Sequence, residues 1–285
     1  MQPNITASRP TAKIMKFFAE PVPLRHQVLR VMDMAFNFLP YSAKINFRSI
    51  DRPHFGHCLL HAARLAAKLG HKRISAIEFG VAGGNGLVSL ERHGAFVEKE
   101  TGVGIDIYGF DTGEGLPAAV DYRDLPYLFD AGDFRMDLAA LEARLQHAKL
   151  CIGPVAETVP GFCERVQPAP IGFISIDVDY YTATVPILKL FESDCRYLLP
   201  RVACFLDDMV GDLDWAFNDF TGELLAVHEF NSVHADIKIA SVKGLRYAKG
   251  HIPQPWHEQV FLAHLFKHPQ YGASINDIRQ LPLGR

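Results

Sequence analysis

Between Pro53 and Gly70 the segment PHFGHCLLHAARLAAKLG repeats apolar side chains at intervals of three and four, at Phe55, Cys58, Leu59, Ala62, Leu65, Ala66 and Leu69. That spacing lays them along one helical face, with proline near the start and glycine at the stop. Residues 24–39 (LRHQVLRVMDMAFNFL) carry a second amphipathic helical pattern, and residues 1–22 are polar and punctuated by proline. After Gly70 the period changes. The short apolar runs ISAIEFG, GVGIDIYGF, KLCIG, IGFISID and RVACFLDD alternate with helical stretches from about Leu87, near FRMDLAALEARLQ and from Pro186. Runs that are apolar at every position suit strands covered on both faces, so the alternation predicts an α/β fold, a doubly wound Rossmann-like sheet. IKIASVKGLRYA and EQVFLAHLF add the strands that bring the sheet to seven.

The strand ends carry the candidate chemistry, because ligands of such sheets bind outside the carboxyl ends of the strands. The first strand runs out in Glu78 and the bare-backbone segment Gly80, Ala82, Gly83 and Gly84; the second in FDTGEGLP from Asp111; the fourth in DVDYY from Asp177; the fifth in DDM from Asp207. A nicotinamide fingerprint needs Gly-x-Gly-x-x-Gly to seat a pyrophosphate on a helix N-terminus. The nearest register, Gly84-Asn85-Gly86-Leu87-Val88-Ser89, lacks the last glycine. The better description is acidic-x-Gly-x-small-x-Gly on Glu78, Gly80, Ala82 and Gly84. Its competitor is a glycine-rich turn without a ligand. Asp111 stands where an acid can accept both hydroxyls of an adenosine ribose, although its 33 residues from Glu78 exceed the roughly 20 usual in a dinucleotide fold. The competing role for Asp111 is to cap the turn before Gly113.

Composition restricts the partners. The 285 residues are 48% hydrophobic with a net charge of -3 of mixed signs, so there is core enough for one α/β domain with an added segment and no basic field for nucleic acid. No apolar run approaches the ~18 residues of a membrane span. The five cysteines, odd in number and widely spaced, have no zinc-type pairing and read as reduced thiols of a cytoplasmic protein. The Asn4-Ile5-Thr6 sequon then reads as a chance match. The default partner is a small molecule.

Taken in order, EFGVAGG, GFDTGEGLP, FISIDVDYY and FLDD resemble the macrocin-type (mycinose pathway) sugar O-methyltransferases, a metal-dependent branch of the class I S-adenosylmethionine-dependent methyltransferases. The resemblance spans roughly residues 75–210. It implies a seven-stranded sheet with an antiparallel last crossing, and a donor site at Glu78, Gly80, Ala82, Gly83, Gly84 and Asp111. It further implies a magnesium ion on Asp177, Asp207 and Asp208, with Asp177 the candidate proton acceptor. Three carboxylates at neighbouring strand ends repel one another, which independently suits a hard cation. Asp179 reads as a supporting acid or a helix cap. The chain departs from the family at Gly113, at Val178 and in LLPRVAC. These expectations divide it into a helical extension or lid over residues 1–52, a candidate homo-oligomer contact, and a methyltransferase domain over 53–285. The acceptor would be a sugar, a glycoconjugate or another vicinal diol. The rivals are a nicotinamide-dependent sugar oxidoreductase or epimerase and a non-catalytic S-adenosylmethionine-binding protein. Trp215, Phe217 and Phe220 are candidates for the acceptor wall or for the core, and His264 for a satisfied core histidine.

Overall fold

The computed structural model describes residues 23–248 and 252–276; the Asn4-Ile5-Thr6 triplet lies outside them. Seven strands form one sheet: β1 (Arg73–Phe79), β2 (Gly104–Asp111), β3 (Lys149–Ile152), β4 (Ile171–Ile176), β5 (Leu198–Leu206), β6 (Ile237–Ser241) and β7 (Val260–Leu265). Their spatial order is β3-β2-β1-β4-β5-β7-β6. The first five pair in parallel, and β7 runs antiparallel to both β5 and β6. This is the Rossmann-like α/β arrangement expected, with the antiparallel crossing at the expected place. β1 and β4 are buried along almost their whole lengths because helices cover both faces. The order reverses between β1 and β4, so a crevice opens at their carboxyl ends.

Helix α3 (Pro53–Lys68) forms where the apolar spacing placed it, with Phe55, Leu59, Ala62, Ala63 and Ala66 essentially inaccessible to solvent. Each large side chain so buried contributes about 2 kcal/mol. A short turn joins its end to the start of β1. α3 therefore runs back along the sheet and begins at the carboxyl edge. Two helices precede it, α1 (Leu24–Phe36) and α2 (Tyr41–Phe47). The joint between them is polar: Asp33, 1% exposed, accepts hydrogen bonds from Lys44 Nζ (2.7 and 2.6 Å), Ser49 Oγ (2.5 Å) and the Leu39 N–H (2.7 Å). The apolar face of α1, including Leu24, Met34 and Phe36, is exposed.

Two helices differ from the periodicity. FRMDLAALEARLQ is helical only as α5 (Leu138–Glu142), which follows α4 (Asn85–Thr101) in the chain. Glu91 explains the short run: its carboxylate accepts the backbone N–H groups of Gln146, His147 and Ala148, holding that segment for the approach to β3. The next two helices, α6 (Val155–Thr158) and α7 (Phe162–Val166), are also short. α8 (Tyr181–Leu188) begins five residues before Pro186 and contains it. Its start is set from a distance, because the carboxylate of fully buried Asp124 accepts both the N–H (2.9 Å) and the Oγ1 hydroxyl of Thr182. α9 (Gly222–Val233) packs against α8 and β6. His264 on β7 is satisfied by the Tyr271 hydroxyl at 2.9 Å. All five cysteines are free thiols, three of them buried. Among the described residues no helix is long and apolar enough to cross a membrane.

Candidate active site

The loop from β1 to α4 explains the bareness of its backbone. The Gly80 N–H continues the β1–β2 ladder by donating to the Phe110 carbonyl at 2.9 Å, and φ at Gly80 is +83°. A Cβ there would stand 1.6 Å from the Asp177 carbonyl oxygen, so the ends of β1 and β4 meet only across glycine. Ala82 is also left-handed, at φ +46°, and Gly84 caps the start of α4. Gly83 has open space around it.

Glu78 lies under this loop, 2% exposed. Its Oε1 faces Gly86 so closely that a Cβ on Gly86 would come within 1.7 Å, while its Oε2 has no hydrogen-bond partner. Burial pushes the carboxyl up to about 8, with neighbouring Asp177 and Asp111 adding to the rise and Arg52 opposing it. Asp111, at the end of β2, accepts the Ala82 N–H at Oδ2 (2.8 Å) and the Gly113 N–H at Oδ1 (2.6 Å). It thus caps the turn before Gly113 and also lines the cavity. Each oxygen keeps a further lone pair, which is what a cis-diol requires.

At the ends of β4 and β5 the acids crowd together. The Asp177 N–H bonds the Phe79 carbonyl and the Asp207 N–H bonds the Ile176 carbonyl, both at 3.0 Å, so each aspartate is the last rung of its ladder. Asp208 Oδ2 accepts the Asp179 N–H at 2.9 Å, and Asp179 sits at φ +61°. Behind them stands Glu223, the second residue of α9 and fully buried. Its Oε2 accepts the Asp208 N–H at 3.3 Å and its Oε1 has no partner. Burial raises the carboxyls of Asp177, Asp179, Asp207, Asp208 and Glu223. Repulsion adds to it, from Asp207 and Asp208 on Asp177 and from all three on Glu223.

A cavity of about 350 Å³ opens where β1, β2 and β4 end. It brings together Gly80, Ala82, Asp111 and Asp177 of the expected residues, and adds Asp179. Glu78, Gly83, Gly84, Asp207 and Asp208 are not on its wall. Glu78 is sealed beneath the loop, and Asp208 is turned onto Asp179. The far wall comes from Leu116, Pro117, Phe134, Pro154 and Val155. Pro154 and Val155 follow β3, so the strand-end rule reaches them, whereas no signal along the chain marks Phe134 or Glu223. Trp215 and Phe220 are neither core nor cavity wall, being 43% and 74% exposed. Trp215 instead meets Phe129 edge-to-face and Phe217 at a tilt, both at 5.9 Å between ring centres, and Phe129 touches Phe134.

The donor set at β4 and β5 has the chemistry for a hard divalent cation: crowded carboxylates, with an orphaned buried oxygen on Glu223. Its side chains as placed do not form a cage, and among the described residues no group of three or more histidines, cysteines, aspartates or glutamates is arranged to hold a metal ion.

No family model and no curated protein matches the chain. Among solved structures it is similar to CalS11, a calicheamicin methyltransferase, at 21% identity over 86% of this chain and 91% of that chain, with a TM-score of 0.48. It is similar to the O-methyltransferase NovP at 12% identity over 63% of this chain and 69% of that chain, with a TM-score of 0.45. A third is the O-methyltransferase TomG of Streptomyces achromogenes, involved in tomaymycin synthesis and solved with S-adenosylmethionine. It shows 13% identity over 79% of this chain and 87% of that chain, with a TM-score of 0.40. These are likenesses of fold at low identity.

Proposed function

We propose that the chain is an S-adenosylmethionine-dependent O-methyltransferase that acts on a hydroxyl of a sugar or another small vicinal-diol acceptor. The observation that carries this reading is the single cavity shared by the Gly80–Ala82 backbone, the Asp111 carboxylate and Asp177. Bare backbone admits a chain laid flat against it, Asp111 takes the two ribose hydroxyls, and Asp177 stands at the far side of the loop. A pyrophosphate suits the site less well. The Glu78 carboxylate already lies against the first turn of α4, where a dinucleotide would place its own negative charge.

In this reading Asp111 orients the donor, and the Gly80 contact fixes how far it stands from Asp177. Asp177 accepts the acceptor's hydroxyl proton at its carboxylate, directly or through water; burial and its acidic neighbours raise its affinity for that proton. A magnesium ion held by Asp177, Asp207 and Asp208 would position an acceptor hydroxyl and lower its pKa. Glu223 supports the Asp208 backbone from below. Residues 53–285 form the catalytic domain and residues 1–52 its extension. Five free thiols suit a cytoplasmic setting.

The test is calorimetric titration of S-adenosylmethionine and of magnesium into chelator-stripped protein, with NAD as control. Saturable binding of both supports the reading and leads to a screen of vicinal diols for methyl transfer. Donor binding without the metal keeps the methyltransferase and removes the magnesium. Binding of NAD alone overturns the whole assignment.

A further inference from the structure

Helix α1 (Leu24–Phe36) is built the wrong way round for a lone surface helix. Its buried positions are polar, Gln27 and Asp33. Leu24, Val28, Val31 and Met32, at i, i+4, i+7 and i+8, form one stripe that faces solvent on the side away from Asp33, and Met34 and Phe36 widen it. Its main neighbour is α2: Asp33 is held by Lys44 and Ser49, and the His26 ring meets Phe47 edge-to-face at 5.3 Å. A helix of 13 residues is marginal by itself and normally gains its stability by packing its apolar face, yet here that face is the open one.

The open area narrows the choice of what covers it. The six side chains are 44–73% exposed, which at roughly 200 Å² each when fully open leaves on the order of 700 Å² uncovered. That exceeds the largest apolar patch usual on a monomer, about 300–600 Å², and approaches the roughly 800 Å² that each partner gives to a standard interface. A membrane surface suits the helix less well. Helices that lie on membranes carry a polar face rich in lysine and arginine, whereas the polar side of α1 is folded onto α2, with its acid paired to Lys44. With charge only at its first turn, in Arg25, the stripe gives a different protein little to read. It is complementary to its own copy about a two-fold axis, the commonest symmetry of soluble oligomers.

We propose that the chain forms a homodimer in which the Leu24–Val28–Met32 stripe of α1 in one protomer packs against the same stripe of its partner. These residues lie outside the donor cavity, so the contact stands or falls apart from the proposed reaction.

Sedimentation of the full chain across about 0.1–100 µM tests this. Wild type is expected at twice the mass of one chain in the upper part of that range. Val28→Glu combined with Met32→Glu should weaken association at least about 100-fold, because pairing would bury the new charges, while the circular dichroism stays that of wild type. Val233→Glu, at an exposed apolar position on α9, should leave the dimer intact. In wild type, amide exchange over α1 should slow as concentration rises through the dissociation constant, a readout that needs no variant to fold. A wild type that stays monomeric overturns the proposal, whether residues 1–22, a lipid surface or another protein covers the stripe. So does a dimer that survives both glutamates, and so does a dimer whose α1 amides exchange equally fast at every concentration.

Discussion

At the ends of β1 and β2 the partly exposed acid, Asp111, is satisfied by backbone, whereas at the ends of β4 and β5 acids face acids. Asp111 accepts two N–H groups from neighbouring loops and is locked before any ligand arrives. Asp177, Asp208 and Glu223 instead hold their protons more tightly through burial and acidic neighbours, Asp207 does so through burial, and a Glu223 oxygen is left without a partner. The first region is preorganised by hydrogen bonds and should tolerate little change in shape. The second is held by packing against unfavourable electrostatics, so it should tolerate loss of charge in folding and not in function. A site that must bind one ligand rigidly and manage charge on another has reason to be built in these two ways.

The comparison breaks most visibly at the acid pair. Asp207→Ala combined with Asp208→Ala is expected to lower methyl transfer by about 10²- to 10⁴-fold while leaving the melting temperature unchanged or raised, since repulsion is relieved. Retained activity would remove the two acids from the chemistry. In the preorganised half, Asp111→Asn should weaken binding of S-adenosylhomocysteine by about 10- to 100-fold through loss of charge-assisted bonds to the diol, read by calorimetry. Gly80→Ala tests shape. Its Cβ would meet a backbone carbonyl that cannot swing away, so a loss of about 3 kcal/mol and a fall in melting temperature of roughly 5–10 °C are expected.

The smallest effect is the most diagnostic. The Glu78 carboxyl is raised from 4.5 to about 8 in the folded chain, mainly by burial. The folded state therefore holds this proton more tightly than the unfolded one. Its stabilising contribution is complete below about pH 4.5 and is lost as pH rises through 8. Glu78→Gln, neutral throughout, should melt a few degrees higher than wild type near pH 8.5 and at nearly the same temperature near pH 5. A difference independent of pH would mean that Glu78 does not titrate in this window.

Along the chain, the strands, α3, α4 and the acidic strand ends were legible because each is a local regularity: period, glycine, or an acid after an apolar run. The seven-stranded sheet with its antiparallel crossing came from the resemblance and is what the structure shows, whereas the full strand order came only from the structure. The lengths of α5 and α8 were not legible, because Glu91 and Asp124 act on them from 55 and 58 residues away. Glu223 escaped for a similar reason, since only the fold brings it to the Asp208 backbone.

What the sequence by itself determined was the sheet and the carboxyl edge at which Glu78, Gly80, Asp111 and Asp177 stand, since backbone propensity and side-chain period act over a few residues. Only the tertiary structure decided that Gly80 touches Asp177 and that Glu223 underlies Asp208. Those are contacts between ends of elements far apart in the chain, and it is the packing of helices on both faces of one sheet that brings such ends to a common edge.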